Sequence, residues 1–330
     1  MTILFRIVLT TVFVVCASSA GADTLSFDRS DAAPGNLRFT WIHGSLSAKA
    51  NTDVRIQVQR YNEHTYLMRQ NPAVHWEAPF MYLLLGNTTA VLLDAGATKE
   101  SEYFPLRQVV DRVLSRWQDA NQISDLQLLV LPLGSDASQL GAIDQFADRP
   151  NTRVVPPDVS SRKLVLGDQW PQSGVLDLGG RALEVLPTPG LDATAISVYD
   201  TWSDLLFTGN TFYPGRLVIR DFAAYRQSLT RLVAFSKDNP VQWIFGGRIE
   251  MSARAGMDYL LRANYRPNER VLQMPPQALL QALQVVSLIN GNTDIRILDD
   301  FIVMHGVGRG ARDYGWPVYI PEQFRSANTR

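Results

Sequence analysis

Short apolar runs separated by turn-forming residues cover the chain from about residue 53 to residue 250. The first clear pair of runs, Phe80–Leu85 and residues 90–94, is separated by Gly86 and Asn87, a dipeptide suited to a tight turn between strands. We therefore predict a β-hairpin at this position.

A helix and a buried strand are predicted after the hairpin. Five apolar residues recur at helical spacing and would form one apolar face against a sheet: Leu106, Val110, Val113, Leu114 and Trp117. The apolar run 126–131 then predicts a strand that ends in the polar loop 132–139. Loops that follow buried strands are where α/β architectures commonly place their chemistry.

The second half of the chain repeats this pattern. Strands are predicted at residues 176–178, 182–186, 196–199, 205–207 and 241–245, and helical stripes are formed by Phe222, Tyr225, Leu229 and Leu232 and by Leu279, Leu283 and Val286. No element is predicted after residue 290. Because no internal repeat or low-complexity linker interrupts the pattern, one continuous domain is favoured.

The composition is that of a globular protein without a strong charge bias. The 330 residues include 31 basic and 32 acidic side chains, and 46% are hydrophobic. A net charge of -1 provides no basic field for nucleic acid, so nucleic acid is excluded as a partner. A chain of this length can bury a sizeable core without disulfides or metals.

The N-terminus has the pattern of a cleavable export signal. Arg6 precedes the apolar run 7–15, and small residues at 16–22 allow cleavage after Ala20 or Ala22. The run is too short to span a bilayer, so residues 1–22 are predicted to be a signal peptide of a periplasmic or secreted protein without a stable membrane span. Cys16 is the only cysteine, and the bulky Val15 before it argues against a lipid anchor. The mature chain would therefore contain neither disulfides nor thiolate ligands.

Four short motifs carry a resemblance to a known fold. They are Leu-Leu-Asp-Ala-Gly at 92–96, Asp-Leu-Gly-Gly at 177–180, Pro-Thr-Pro-Gly at 187–190 and Leu-Phe-Thr-Gly-Asn at 206–210. In this order they resemble the metallo-β-lactamase fold, and stretches at 77–82, 145–152, 213–216 and 249–251 are similar to an exported branch of metallo-hydrolases. The resemblance implies an α+β fold, a four-layer αβ/βα sandwich, over residues 23–270. Residues 271–330 are then a helical or irregular extension packed on the same domain.

The resemblance also implies a di-zinc site at one edge of the sandwich, where loops beginning at Gly134, Pro189, Thr208 and Gly246 would converge. The metal-ligand positions have changed here. Depending on the register, the histidine-rich signature falls on Gly134, Asp136, Ser138 and Gln139, or uses Asp136 as its aspartate. The later ligand positions carry Leu191, Asn210 and Arg248.

These positions offer one carboxylate and neutral oxygens, which are too weak a donor set for tightly bound zinc. The four histidines, His43, His64, His75 and His305, show no spacing of two or four residues that would replace the lost ligands. We therefore expect no metal and no other cofactor. Together with Asp94, the changed positions define a vacated metal site and a candidate ligand cleft.

Three roles are open for Arg248. It could form a buried ion pair with Asp94 or Asp136, which would fill the vacated site. It could instead bind a carboxylate or phosphate together with backbone amides of the Gly134 loop. In the third case it points to solvent.

Three functions are compatible with these residues. The favoured one is a pseudoenzyme without catalytic residues, which binds a small anionic ligand or an envelope protein. The alternative is an active hydrolase of an ester, amide or lactam, with a single metal held weakly by Asp94, Asp136 and Asn210. Ser135 and Ser138 have no histidine nearby in sequence to activate them. The third function is an assembly protein with an exposed apolar patch at 301–304 and 314–319.

Overall fold

The computed structural model describes residues 24–28, 32–172 and 174–310, which contain three β-sheets and five α-helices. The first sheet consists of β1 (Ile56–Asn62), β2 (Thr65–Gln70), β3 (Phe80–Leu85), β4 (Thr89–Leu93), β5 (Gln127–Leu131) and β6 (Thr152–Val154), in that order. Strands β1 to β4 pair antiparallel, and β4, β5 and β6 pair parallel. The predicted hairpin is confirmed as β3 and β4.

Nine further strands build the other two sheets. They are β7 (Gly174–Asp177), β8 (Ala182–Pro187), β9 (Ile196–Asp200), β10 (Leu205–Gly209), β11 (Arg216–Ile219), β12 (Trp243–Gly246), β13 (Gln273–Met274), β14 (Asp294–Ile297) and β15 (Ile302–His305). The second sheet has the order β13-β12-β10-β9-β8-β7, and the third has the order β11-β15-β14. Strands β14 and β15 were not predicted.

The helices are α1 (Leu106–Asn121), α2 (Ala137–Leu140), α3 (Val159–Leu166), α4 (Phe222–Asp238) and α5 (Gln277–Ile289). Helices α1, α4 and α5 carry the stripes that the sequence predicts. None of the helices in the described residues is both long and apolar enough to cross a membrane.

Strand β4 shows how the layers are held together. Its Val91 and Leu93 belong to the apolar cluster between the two large sheets, whereas Ala90 and Leu92 belong to the cluster under α1. Because alternate side chains point to opposite faces of a strand, both faces of β4 are buried and its sequence is continuously apolar. Helices α4 and α5 pack in a third cluster on the outer face of the second sheet. The fold class is confirmed as an α+β, four-layer αβ/βα sandwich.

The apolar segment 301–304 does not form the exposed patch that the assembly hypothesis requires. Its four side chains are 0% exposed, because Phe301 and Val303 join the cluster of α4 and α5 while Ile302 and Met304 pack with Met251. That prediction is wrong for 301–304, since β15 lies between β11 and β14 in the third sheet. Residues 314–319 and the predicted signal peptide 1–22 lie outside the described residues.

Candidate functional site

The loops that follow β5, β8, β10 and β12 meet at one edge of the sandwich, as predicted. Ser135 after β5 donates its hydroxyl to Asp192 after β8 at 2.8 Å. The Asn210 amide after β10 donates to Ser138 Oγ at 3.3 Å, and Arg248 Nε after β12 donates to Asn210 Oδ1 at 3.2 Å. Hydrogen bonds therefore connect all four loops.

Asp94 lies directly after β4 and is enclosed by the protein. Its Oδ1 accepts hydrogen bonds from the backbone amide of Leu133 at 2.7 Å and from Gln139 Nε2 at 3.1 Å. Its Oδ2 accepts a hydrogen bond from Gln139 Nε2 at 3.2 Å. Burial raises the pKa of Asp94 to about 7, although these hydrogen bonds lower it. No described hydrogen bond or ion pair joins Asp94 to Arg248, so the predicted ion pair is wrong for Asp94, whereas Arg248 does lie within ion-pair distance of Asp136.

A side chain at Gly134 would force the ends of two neighbouring side chains to shift. A Cβ atom there would lie 2.5 Å from Gln139 Oε1 and 2.8 Å from Asp192 Oδ2. The amide of the next residue, Ser135, is already bonded to Asp192. That amide is therefore occupied, which removes it from the anion receptor considered above.

Arg248 lies in the wall of the site and is only 3% exposed. Its Nη1 binds Glu77 Oε1, and its guanidinium lies 5.2 Å from the centre of the Tyr213 ring. Its Nη2 lies 3.9 Å from Asp136 Oδ1, which is within the range of an ion pair but beyond a hydrogen bond. The main partner is thus Glu77, which sequence reasoning missed.

A second arginine, also missed, reaches the site from the C-terminal segment. Arg309 Nη1 lies 2.8 Å from Glu77 Oε1, and its Nη2 lies 2.8 Å from Glu250 Oε1 and 2.9 Å from the Tyr213 hydroxyl oxygen. Burial raises the pKa of Glu250, but the charges of Arg309 and Arg216 outweigh burial and hold it at about 2. Glu250 is therefore ionised throughout the physiological range.

These groups surround a cavity of about 250 Å³. Its wall contains four arginines, two aspartates and a few neutral residues: Arg216, Arg220, Arg248, Arg309, Asp136, Asp192, Asn210, Tyr213, Leu191 and Val218. Of the residues predicted for the cleft, Asp136, Leu191, Asn210 and Arg248 line the cavity. Asp94, Gly134, Ser138 and Gln139 are buried and do not line it.

The residues present do not fit a di-zinc centre. Within the described residues, no group of three or more His, Cys, Asp or Glu side chains is placed to hold a metal ion. The Asn210 side chain is bonded on both sides, to Arg248 and to Ser138, and the first of these partners is a cation. A guanidinium repels a divalent cation and has no lone pair to donate to it.

The histidines and serines do not supply an alternative catalytic group. Trp117 Nε1 donates to His64 Nδ1 at 3.0 Å, and burial lowers the pKa of His75, whose Nδ1 accepts from the Glu77 amide at 3.3 Å. The hydroxyl of Ser138 donates to Asp136 at 2.6 Å. No described hydrogen bond joins either Ser135 or Ser138 to an imidazole that could act as a base.

No protein-family model matches the chain, and no curated protein is similar to it. Among solved structures, a metallo-β-lactamase from Pontibacter korlensis is 14% identical with a TM-score of 0.47, covering 70% of this chain and 99% of its own. The protein TMB-1 is 13% identical with a TM-score of 0.47, and the match covers 73% of this chain and 100% of TMB-1. An archaeal metallo-β-lactamase superfamily protein from Sulfolobus tokodaii is 16% identical with a TM-score of 0.42, covering 71% and 90%.

The chain has a metallo-β-lactamase-like fold, in agreement with the resemblance of its motifs. Such low identities and TM-scores carry no argument about activity, and the fold rests on the strand order and layers described above. Leu191, Asn210 and Arg248, which the motif resemblance predicts at metal-ligand positions, all lie in the wall of the arginine-lined cavity at the edge of the sandwich.

Proposed function

We propose that this protein is an exported, non-catalytic binding protein, in which the family's di-zinc site has become a cavity for a small anionic ligand. The observation that supports this most directly is Arg248, whose guanidinium lies in the cavity wall where the family places its last metal ligand. The apolar and small residues in the N-terminal segment support export to the periplasm or the medium.

Two arginines in the cavity wall have N–H groups available to bind an anion. Arg220 is exposed and makes no ion pair or side-chain hydrogen bond within the described part of the chain. Arg248 uses Nε and Nη1 for Asn210 and Glu77, which leaves Nη2 without a hydrogen bond among the described residues. A guanidinium is well suited to carboxylate and phosphate, since its N–H groups form a planar fork.

The hydrolase alternative has no comparable support. It requires Asp94, Asp136 and Asn210 to share one metal ion. Asp94 is bonded to Leu133 and Gln139 and does not line the cavity, whereas Asp136 and Asn210 do. No described contact favours this alternative.

Replacing Arg220 by alanine should remove anion-dependent stabilisation without lowering the stability of the free protein. Because Arg220 is exposed and unpaired, its loss leaves no buried charge behind, whereas a bound anion loses one of its cations. We expect acetate or inorganic phosphate to raise the melting temperature of the wild type with a saturating dose dependence, by the usual linkage of binding to folding. The Arg220→Ala variant should show little of this rise.

Arg226→Ala is the matched control, because Arg226 is an exposed arginine on α4 that does not line the cavity. Phosphate also stabilises proteins nonspecifically, and that part of the effect should persist in every variant. Equal stabilisation of the wild type, Arg220→Ala and Arg226→Ala would contradict an anion site in the cavity.

A further inference from the structure

The fixed charges around the cavity are almost balanced, which favours a ligand that carries a positive charge beside its anionic group. Three of the four arginines face buried carboxylates: Arg216 pairs with Asp258 at 2.6 Å, Arg248 with Glu77, and Arg309 with Glu250 at 2.8 Å. Arg220 is the lining arginine for which the described residues provide no carboxylate. A ligand with several negative charges would find one uncompensated cation, while Asp136 and Asp192 in the same wall would repel it.

Two neighbouring side chains in this wall, Arg248 and Asp136, each keep bonding capacity, one as a donor and the other as an acceptor. Asp136 Oδ1 accepts from the amide and hydroxyl of Ser138, at 3.0 and 2.6 Å, while its Oδ2 accepts no hydrogen bond within the described residues. The Arg248 Nη2 atom, also without a hydrogen bond there, lies 3.9 Å from Asp136 Oδ1. The two charges attract each other, yet both keep bonding capacity for a third group.

Asp136 is ionised at neutral pH. Burial raises its pKa, but the charge of Arg248 and the hydrogen bonds from Ser138 lower the pKa by more than burial raises it. The pKa of Asp136 therefore lies below its ordinary value. Asp192 differs because its oxygens already accept hydrogen bonds from Ser135 and Thr194. Asp136 is thus the carboxylate in this wall with an oxygen left for a ligand.

We infer that the ligand of this cavity is a small zwitterion, an α-amino acid with an aliphatic side chain. Its carboxylate would accept from Arg248 Nη2 and Arg220, and its ammonium would donate to Asp136 Oδ2. In an α-amino acid the carboxylate and the ammonium group are attached to the same carbon atom. Such a ligand therefore matches a donor on Arg248 and an acceptor on the neighbouring Asp136. This inference rests on the proposed function: the anionic group proposed there is identified as the carboxylate of an amino acid.

The size and remaining surface of the cavity fit such a ligand. At about 250 Å³ the cavity is smaller than the roughly 300 to 1,000 Å³ of sites for drug-sized ligands. Leu191 and Val218 provide apolar wall for an aliphatic side chain. Leu191 stands where the resemblance implies a metal-binding histidine, and its apolar side chain would instead contact the side chain of the ligand.

The test compares three probes by calorimetric titration: L-leucine, N-acetyl-L-leucine and L-leucinamide. The acetylated compound keeps only the negative charge, and the amide keeps only the positive charge. Because a hydrogen bond to a charged group contributes about 1.5 to 3 kcal/mol, each derivative should bind at least ~10-fold more weakly than leucine. Asp136→Asn should weaken the binding of leucine by a similar factor, but should not weaken that of N-acetyl-leucine, because the substitution removes a charge that repels this anion.

Asp119→Asn is the matched control, an exposed carboxylate on α1 outside the cavity, and should bind all three probes like the wild type. Asparagine is also a good N-cap, so Asp136→Asn retains the start of α2, which its melting temperature would verify. If N-acetyl-leucine or leucinamide binds as tightly as leucine, or Asp136→Asn binds leucine normally, the zwitterion is refuted. If the protein binds acetate or phosphate but does not bind leucine, the zwitterion is also refuted, while the proposed anion site is retained. If none of these compounds binds, both proposals fail.

Discussion

Replacing Asp200 by asparagine should lower the free energy of unfolding by about 3 to 5 kcal/mol, the usual cost of leaving a buried charge without its partner. The charge left behind is that of Arg181, which is 0% exposed. Arg181 Nε and Nη2 lie 3.0 and 2.6 Å from the two oxygens of Asp200 in a bidentate pair. Asparagine has nearly the same shape but supplies no negative charge and one acceptor fewer.

The effect should be large because Arg181 connects the two large sheets. Its other N–H groups donate to the carbonyl oxygens of His64 and Leu85 and to the hydroxyl of Thr65, at 2.6, 3.0 and 2.7 Å. These acceptors lie at the ends of β2 and β3 in the first sheet, whereas Asp200 ends β9 in the second. Loss of the pair therefore weakens the contact between the sheets.

Denaturant unfolding measures this effect, and Asp144→Asn is its control. Asp144 pairs with Lys99 at 3.0 Å, but both side chains are about two thirds exposed to solvent, so this substitution should change the stability little. A loss of stability in Asp200→Asn no larger than that in Asp144→Asn would contradict the assignment of a buried, uncompensated Arg181.

Replacing Asp94 by asparagine should stabilise the protein above pH 7 and change little near pH 4. Burial raises the pKa of Asp94 from 3.8 to about 7 in the folded protein. The folded state therefore holds a proton that the unfolded state releases, and stability associated with this group is lost as the pH rises from about 4 through 7. Asparagine carries no ionisable proton and escapes this loss.

The expected gain at pH 8 is roughly 2 to 4 kcal/mol, since each pKa unit corresponds to about 1.4 kcal/mol. Asp94 has a φ of 64°, a left-handed conformation that asparagine adopts readily. Unfolding at pH 5 and pH 8 tests the difference, with Asp119→Asn as the exposed control. If the Asp94→Asn variant is less stable than the wild type at pH 8, the ionised carboxylate of Asp94 does not destabilise the folded protein, and this account of Asp94 is wrong.

The parts of the fold that depend on local pattern could be predicted from sequence. The hairpin at Gly86 and the stripe of α1 depend on residues close together in the chain. Strands β14 and β15 were missed because each has four residues, too few for the alternation of polar and apolar residues in β14 to distinguish a strand from a loop. Their pairing with each other and the burial of β15 against Met251 and α5 are tertiary properties.

The candidate site was predicted in part for the same reason. Motif spacing placed Arg248 at the edge where the loops meet, but not its main partner. Glu77 is 171 residues from Arg248 and 232 from Arg309, so nothing in the local pattern connects these three residues. The neighbourhood of Glu77 resembles the exported branch, which was the one available signal that this segment borders the site.

The zinc content of the mature protein tests most directly whether the di-metal site has been replaced by an arginine-lined cavity. Elemental analysis is made on protein purified without chelators, before and after incubation with zinc followed by desalting. Because the described residues bring no group of three or more His, Cys, Asp or Glu side chains together to hold a metal ion and Arg248 lies in the cavity wall, we predict well under one zinc per chain in both samples and no gain in hydrolysis. Two tightly held zinc ions per chain would contradict this account.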